Sequence, residues 1–135
     1  MNTQRGFGHI TVDGVEYPVR FSLNQTQIFC ELEKCDLKGY NDLFAFYPTG
    51  EKDEEGKPKY ANRFSEQKVT PDTLRHLLYS ALKEGHRVSK KEFTLSMEDV
   101  GDMLELMETD SLAWRNILHL IVKKEEAPRP NDNPK

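Results

Sequence analysis

The chain has only two cysteines, one tryptophan and no long apolar run in its 135 residues. Two cysteines cannot build the disulfide framework that braces small secreted domains. They are Cys30 and Cys35, in a segment with helical patterning. At about 100° per residue a continuous helix sets them roughly 140° apart around its axis, which predicts two ordinary reduced thiols and no local disulfide. Their spacing fits no zinc motif. No stretch approaches the ~18 consecutive apolar residues of a membrane-spanning helix. MNTQRGFGHITV, at the start, lacks the basic flank and apolar stretch of a secretory signal, so the chain is expected to be cytoplasmic, without a membrane partner. Positive charge is scarce too. Nineteen Lys and Arg stand against 23 Asp and Glu, a net charge of -4. The short basic runs, Lys90-Lys91 and Lys123-Lys124, have acids close by. Nucleic acid is therefore not an expected partner.

Catalytic signatures are equally sparse. There is no Gly-rich phosphate loop, HExxH, CxxC or GxSxG. Of the four histidines, His9 is expected on a strand's polar face, His76 and His119 on helices, and His86 in a loop. None has a second metal-type residue at ligand spacing. No catalytic, cofactor-binding or metal-binding residue is assigned, and the chain is not expected to be an enzyme.

What is present is a foldable pattern. Hydrophobic residues make up 36% and charged residues 31%, which suits one domain with one core. From Ile10 to Phe21, apolar and polar residues alternate on both sides of Asp13-Gly14, the dipeptide favoured in a two-residue type I′ turn. That turn pairs Val12 with Val15 and Ile10 with Tyr17. Val19 and Phe21 extend the apolar face, while Thr11, Glu16, Pro18 and Arg20 take the other. Pro18, lacking an N–H, marks the second strand as an edge.

Helix signals follow. Asn24 and Gln27 read as an N-cap and its capping-box partner, with Ile28, Phe29, Leu32 and Cys35 on the buried face. A short helix after Gly39 carries Leu43, Phe44 and Tyr47 and stops at Pro48. Thr70-Pro71-Asp72 opens the clearest helix, whose stripe Leu74, Leu77, Leu78, Ala81 and Leu82 ends at Gly85. Ser96 caps another, which buries Val100, Leu104 and Met107. Gly101 inside it predicts close packing of a neighbouring element. A last helix from Thr109 or Asp110 presents Trp114, Ile117, Leu118 and Ile121, with Trp114 as a core anchor.

Residues 48–69 hold five acids and five bases among glycines and prolines. They read as a long charged loop, mobile in part over 48–60. Its carboxylates lack the spacing of a calcium loop. Residues 1–124 form the expected domain, and 125–135 a disordered tail. The expected class is α+β, with an N-terminal two-stranded antiparallel hairpin packed on a bundle of four to five helices.

Three segments, ITVDGVEYPVRFSLNQTQIFCE, LRHLLYSALKEG and FTLSMEDVGDML, together resemble the tail assembly chaperones of long-tailed bacteriophages and prophages. Such proteins open with a strand–DG–strand hairpin and carry "LLYxAL" and "EDVGDLL" helices. The resemblance covers about residues 8–35 and 70–122. It implies a non-catalytic protein that binds the tape measure protein, helps recruit tail tube subunits, and is compatible with a homo-oligomer. Tyr60 and Phe64 are the candidate partner-binding residues, as the aromatics of the charged segment. Many members of that family are made in two lengths by a translational frameshift. Lys123-Lys124 could be encoded by a slippery A-rich run, or could simply complement a helix dipole. Two other readings stay open: a structural tail or head–tail connector component, and a generic bacterial protein-interaction module.

Overall fold

In the computed structural model, which describes residues 6–64, 68–108, 117 and 120, Asp13 and Gly14 take φ of 52° and 79°. This is the turn that matches the right-handed twist of paired strands. It joins β1 (Phe7–Val12) to β2 (Val15–Arg20) with Val12 opposite Val15 and Ile10 opposite Tyr17, the expected register. Ile10, Val12, Val19 and Phe21 are buried and Tyr17 partly so, while Thr11 and Glu16 face solvent.

Ser22, not Asn24, caps α1 (Leu23–Glu33). Its side chain accepts from the Gln25 N–H. Starting the helix earlier turns Gln25 and Thr26 inward beside Phe29, and leaves Ile28 and Leu32 only partly buried. α2 (Leu37–Phe44) begins ahead of Gly39, because the Asp36 carboxylate caps it by accepting from the Gly39 N–H at 2.8 Å. It buries Tyr40, Leu43 and Phe44. Tyr47 belongs to no helix. It opens β3 (Tyr47–Lys52), which pairs antiparallel with β4 (Pro58–Ala61).

This second hairpin replaces the loop expected over 48–69. The physical reason lies in Asp53-Glu54-Glu55-Gly56-Lys57. Gly56 donates to the Asp53 carbonyl at 3.0 Å, and Asp53 donates to the Lys57 carbonyl at 2.9 Å. The Asp53 carboxylate also accepts from the Glu55 and Lys57 N–H groups. A type I turn with Asp first and a positive-φ glycine last closes two strands in this way.

α3 (Pro71–Val88) starts as expected at Thr70, whose hydroxyl accepts from the Thr73 N–H at 3.2 Å. It does not end at Gly85. It runs on to Val88, and Gly85 is buried where the helix crosses β2. A Cβ built there would lie 2.3 Å from the Pro18 carbonyl oxygen and 2.5 Å from the Val19 Cα. Pro18 is consequently buried, not exposed: α3 covers the free edge of β2. His86, expected in a loop, is in the last turn and buried, its Nδ1 bonded to the Leu82 carbonyl at 2.7 Å.

α4 (Met97–Glu108) opens with a reciprocal cap. Asp99 N–H donates to the Ser96 hydroxyl at 3.0 Å, and Ser96 N–H donates to the Asp99 carboxylate at 2.9 Å. Val100, Met103 and Met107 are buried; Leu104 is partly so. The close packing expected at Gly101 comes from the Arg75 guanidinium, whose Nη2 would meet a Cβ at 3.2 Å. The expected last helix and the 125–135 tail fall almost wholly outside the described residues, Trp114, Leu118 and Ile121 included. Ile117 is buried in the core and Leu120 packs against it. Four helices and two hairpins thus make an α+β fold among the described residues, in which no helix is long and apolar enough to cross a membrane.

The two helical glycines should respond oppositely to alanine. Gly85→Ala drives a methyl into strand backbone that cannot yield, and is expected to cost about 2–3 kcal/mol even after the helix-propensity gain. Gly101→Ala meets only the far end of a flexible arginine, and is expected to stabilise by up to about 1 kcal/mol. Urea midpoints of the two variants measure this. Equal shifts would sink the assignment of Gly85 as the crossing point.

Candidate functional site

Two surface features carry chemistry that the core does not use. One is an open groove of about 610 Å³ between α1, the start of α2 and the approach to α3. Phe29, Leu43 and Val69 supply its apolar lining, and Arg63 and Lys68 bring cations to it. Glu33 also lines it but is engaged: its carboxylate accepts from the Thr73 hydroxyl and meets His76 Nδ1 at 2.6 Å. That cluster ties the last turn of α1 to α3. The Lys68 ammonium stands 5.7 Å from the Tyr47 ring centroid, a cation–π contact with the inner side of the second hairpin.

Cys35 lies at the groove as well, because α1 stops in a Schellman turn. Lys34 takes the left-handed conformation (φ 59°, ψ 48°), and the N–H groups of both Lys34 and Cys35 donate to the Cys30 carbonyl. This motif brings the residue after the left-handed position back over the final helical turn. The two sulfurs therefore sit 3.7 Å apart. Angular spacing on a continuous helix placed them far apart; the helix ends between them. Burial, followed by the hydrogen bond to Cys30 and nearby negative charge, pushes the Cys35 thiol up to about 11. Such a thiol is neutral near pH 7, the reverse of the activation a nucleophilic cysteine requires. Among the described residues no group of three or more His, Cys, Asp or Glu could hold a metal ion.

The second feature is the outer face of the β3–β4 hairpin. Pro48 pairs with Tyr60, and Phe46 immediately precedes β3, two residues before Pro48. Phe46 is 61% and Tyr60 60% exposed, and Pro48 is exposed beside them. Tyr47, Thr49 and Ala61, on the alternate positions, are partly buried.

The two residues singled out from sequence separate here. Tyr60 is on the exposed face. Phe64 is buried in the core at 6% exposure, its ring 5.5 Å from Phe44, and is unavailable to a partner. It is the last ring in a row running Phe29, Tyr40, Phe44, Phe64 with centroids 5.2–5.5 Å apart. The Phe64 N–H donates to the Leu43 carbonyl, and the Asn62 amide to the Phe44 carbonyl. The helix expected to stop at Pro48 hides the exposure of Phe46, since α2 ends at Phe44. The alternation Phe46, Pro48 ahead of the Asp53–Gly56 turn is the signal that could have found it.

Lys34 holds a conformation that costs a β-carbon-bearing residue roughly 1 kcal/mol. Lys34→Gly is expected to recover up to about 1 kcal/mol in thermal or urea unfolding with the Schellman bonds kept. A loss of stability would show that the α1 terminus does not rest on that turn.

No protein-family model, curated protein or solved structure matches this chain.

Proposed function

We propose that the chain is a non-catalytic tail assembly chaperone of a long-tailed phage or prophage, acting in the bacterial cytoplasm. It binds helical segments of the tape measure protein and helps recruit tail tube subunits. The reading rests on the resemblance of the hairpin, α3 and α4 segments to that family. The observation in the fold that favours it is the exposed Phe46–Pro48–Tyr60 face.

A chaperone for a long helical client needs a surface that grips apolar side chains and stays soluble when empty. Two aromatics flanking a proline provide apolar area on rigid side chains, with little rotamer freedom to lose on binding. Lys52, Lys57 and Lys59, all exposed on the same hairpin, keep the empty face hydrated. An amphipathic client helix then docks by its apolar stripe, with its own acids meeting those lysines at the rim.

Co-expression with the tape measure protein, which for this family is a very long, coiled-coil-rich product encoded directly downstream, should raise the client's soluble fraction. In the purified pair, Phe46→Ser with Tyr60→Ser should weaken binding by about tenfold to a hundredfold, the usual effect of losing central aromatic anchors. The double variant should keep the wild-type unfolding midpoint, since neither ring is buried. Absence of a complex at micromolar concentration would remove the chaperone reading. A complex indifferent to the two substitutions would move the binding surface elsewhere. A stable homomeric ring would favour a structural tail or connector component instead.

A further inference from the structure

The turn that ends α1 also places two thiols in contact within a short stretch of chain. Cys35 S–H donates to the Cys30 sulfur at 3.7 Å, and Cys30 S–H donates to the Asp36 carbonyl at 3.5 Å. Both cysteines are free and partly exposed. The backbone is already drawn together, since the Cys35 N–H bonds to the Cys30 carbonyl at 3.1 Å. A disulfide would shorten the sulfur contact from 3.7 Å to about 2.0 Å.

We propose that Cys30 and Cys35 are a reversible dithiol–disulfide site, closed by exchange with small-molecule disulfides such as oxidised glutathione, which locks the junction between α1 and α2. This stands on the Schellman geometry alone and is independent of any partner.

The exchange proceeds in two displacements. The Cys30 thiolate attacks one sulfur of the small disulfide, forming a mixed disulfide and expelling one small thiolate. Cys35 then loses its proton to solvent, and its thiolate attacks the Cys30 sulfur, expelling the second small thiolate. The two protein sulfurs give up two electrons, and the small disulfide takes them up to become two thiols. Cys30 is the first nucleophile because burial keeps Cys35 protonated. Cys35 suits the second step, in which it is already in contact with the sulfur under attack.

Closure has a local consequence. Cys35 lines the groove, and a Cβ at Gly39 would meet the Cys35 Cβ at 3.2 Å and its sulfur at 3.7 Å. Drawing the two sulfurs together alters that wall of the groove beside the first turn of α2.

The test incubates the reduced full-length protein with oxidised glutathione under native conditions, followed by intact-mass spectrometry after acid quench. The expected product is a monomer lighter by two hydrogens that returns to the dithiol on adding reductant. Mixed disulfide should stay below about one tenth of the closed form, because the second thiol is pre-positioned. Cys35→Ser should instead accumulate a stable glutathione adduct at Cys30, whereas Cys30→Ser should react more slowly. The same reaction in concentrated urea controls for chain proximity alone. The native ratio of closed to mixed disulfide should exceed the denatured ratio at least about tenfold. Persistent single or double adducts, covalent dimers, unreacted thiols in the native protein, or equal ratios in native and denatured protein would each overturn the proposal.

Discussion

The approach of α3 to the backbone of β2 at Gly85 is the contact on which the fold depends. No other residue type brings a helix that close to a strand, because a Cβ would lie inside the van der Waals radius of the Pro18 carbonyl and the Val19 Cα. The bare Gly85 Cα is instead directed at that carbonyl, the setting for a weak C–H···O contact. One helix thereby does two jobs. It buries the apolar face of the hairpin, where Ile10, Val19 and Phe21 are each worth about 1.5–3 kcal/mol when removed from water. It also shields the edge of β2, which would otherwise offer a template for pairing with another chain. Proline reinforces the second role by withholding a donor from that edge.

The other sides of α3 are organised by a buried amide. Gln25 is fully buried. Its Nε2 donates to the Ser80 hydroxyl at 3.1 Å, and its Oε1 accepts from the Tyr40 hydroxyl at 3.3 Å. Ser80 in turn donates to the Leu77 carbonyl at 2.9 Å. Three helices are therefore held in one relative rotation, since slipping any of them strands a polar group in an apolar core, at a cost of about 1–3 kcal/mol each. A second tie, Glu33 to Thr73 and His76, fixes the end of α1 to the same helix. On the opposite side Phe93 packs edge-on against both Tyr79 and His86.

Sequence alone was most legible where independent local signals agreed. Asp13-Gly14 and the alternation around it specify the same register, and Thr70-Pro71 and Ser96 start their helices where the apolar stripes begin. It failed where one local rule stood by itself. Ser22 and Asn24 are both competent caps, and only the burial of Gln25 and Thr26 decides between them. Gly85 resembles a helix stop unless the strand crossing it is known. The wheel arithmetic for Cys30 and Cys35 presumes a continuous helix, whereas α1 ends at Glu33. Charge concealed the second hairpin, although its turn chemistry was written in Asp53 and Gly56. Phe64 looked exposed for the same reason, when the aromatic row from Phe29 draws it inside.

Among the described residues that second hairpin pairs chiefly with itself, and no helix packs broadly against β3 or β4. Its attachments include the Lys68–Tyr47 cation–π contact and, just past β4, the bonds of Asn62 and Phe64 to the carbonyls at the end of α2. The free energy of opening the two strands is therefore separate from that of unfolding the bundle. Damage to the strand pairing lowers the stability of the whole only until the opened form becomes the ground state. Beyond that point the loss saturates, and α1, α2 and α3 remain folded around Gln25. The segment from Tyr47 to Ala61 can accordingly accumulate sequence change at a bounded thermodynamic cost, a freedom that the Gly85 crossing denies to β2.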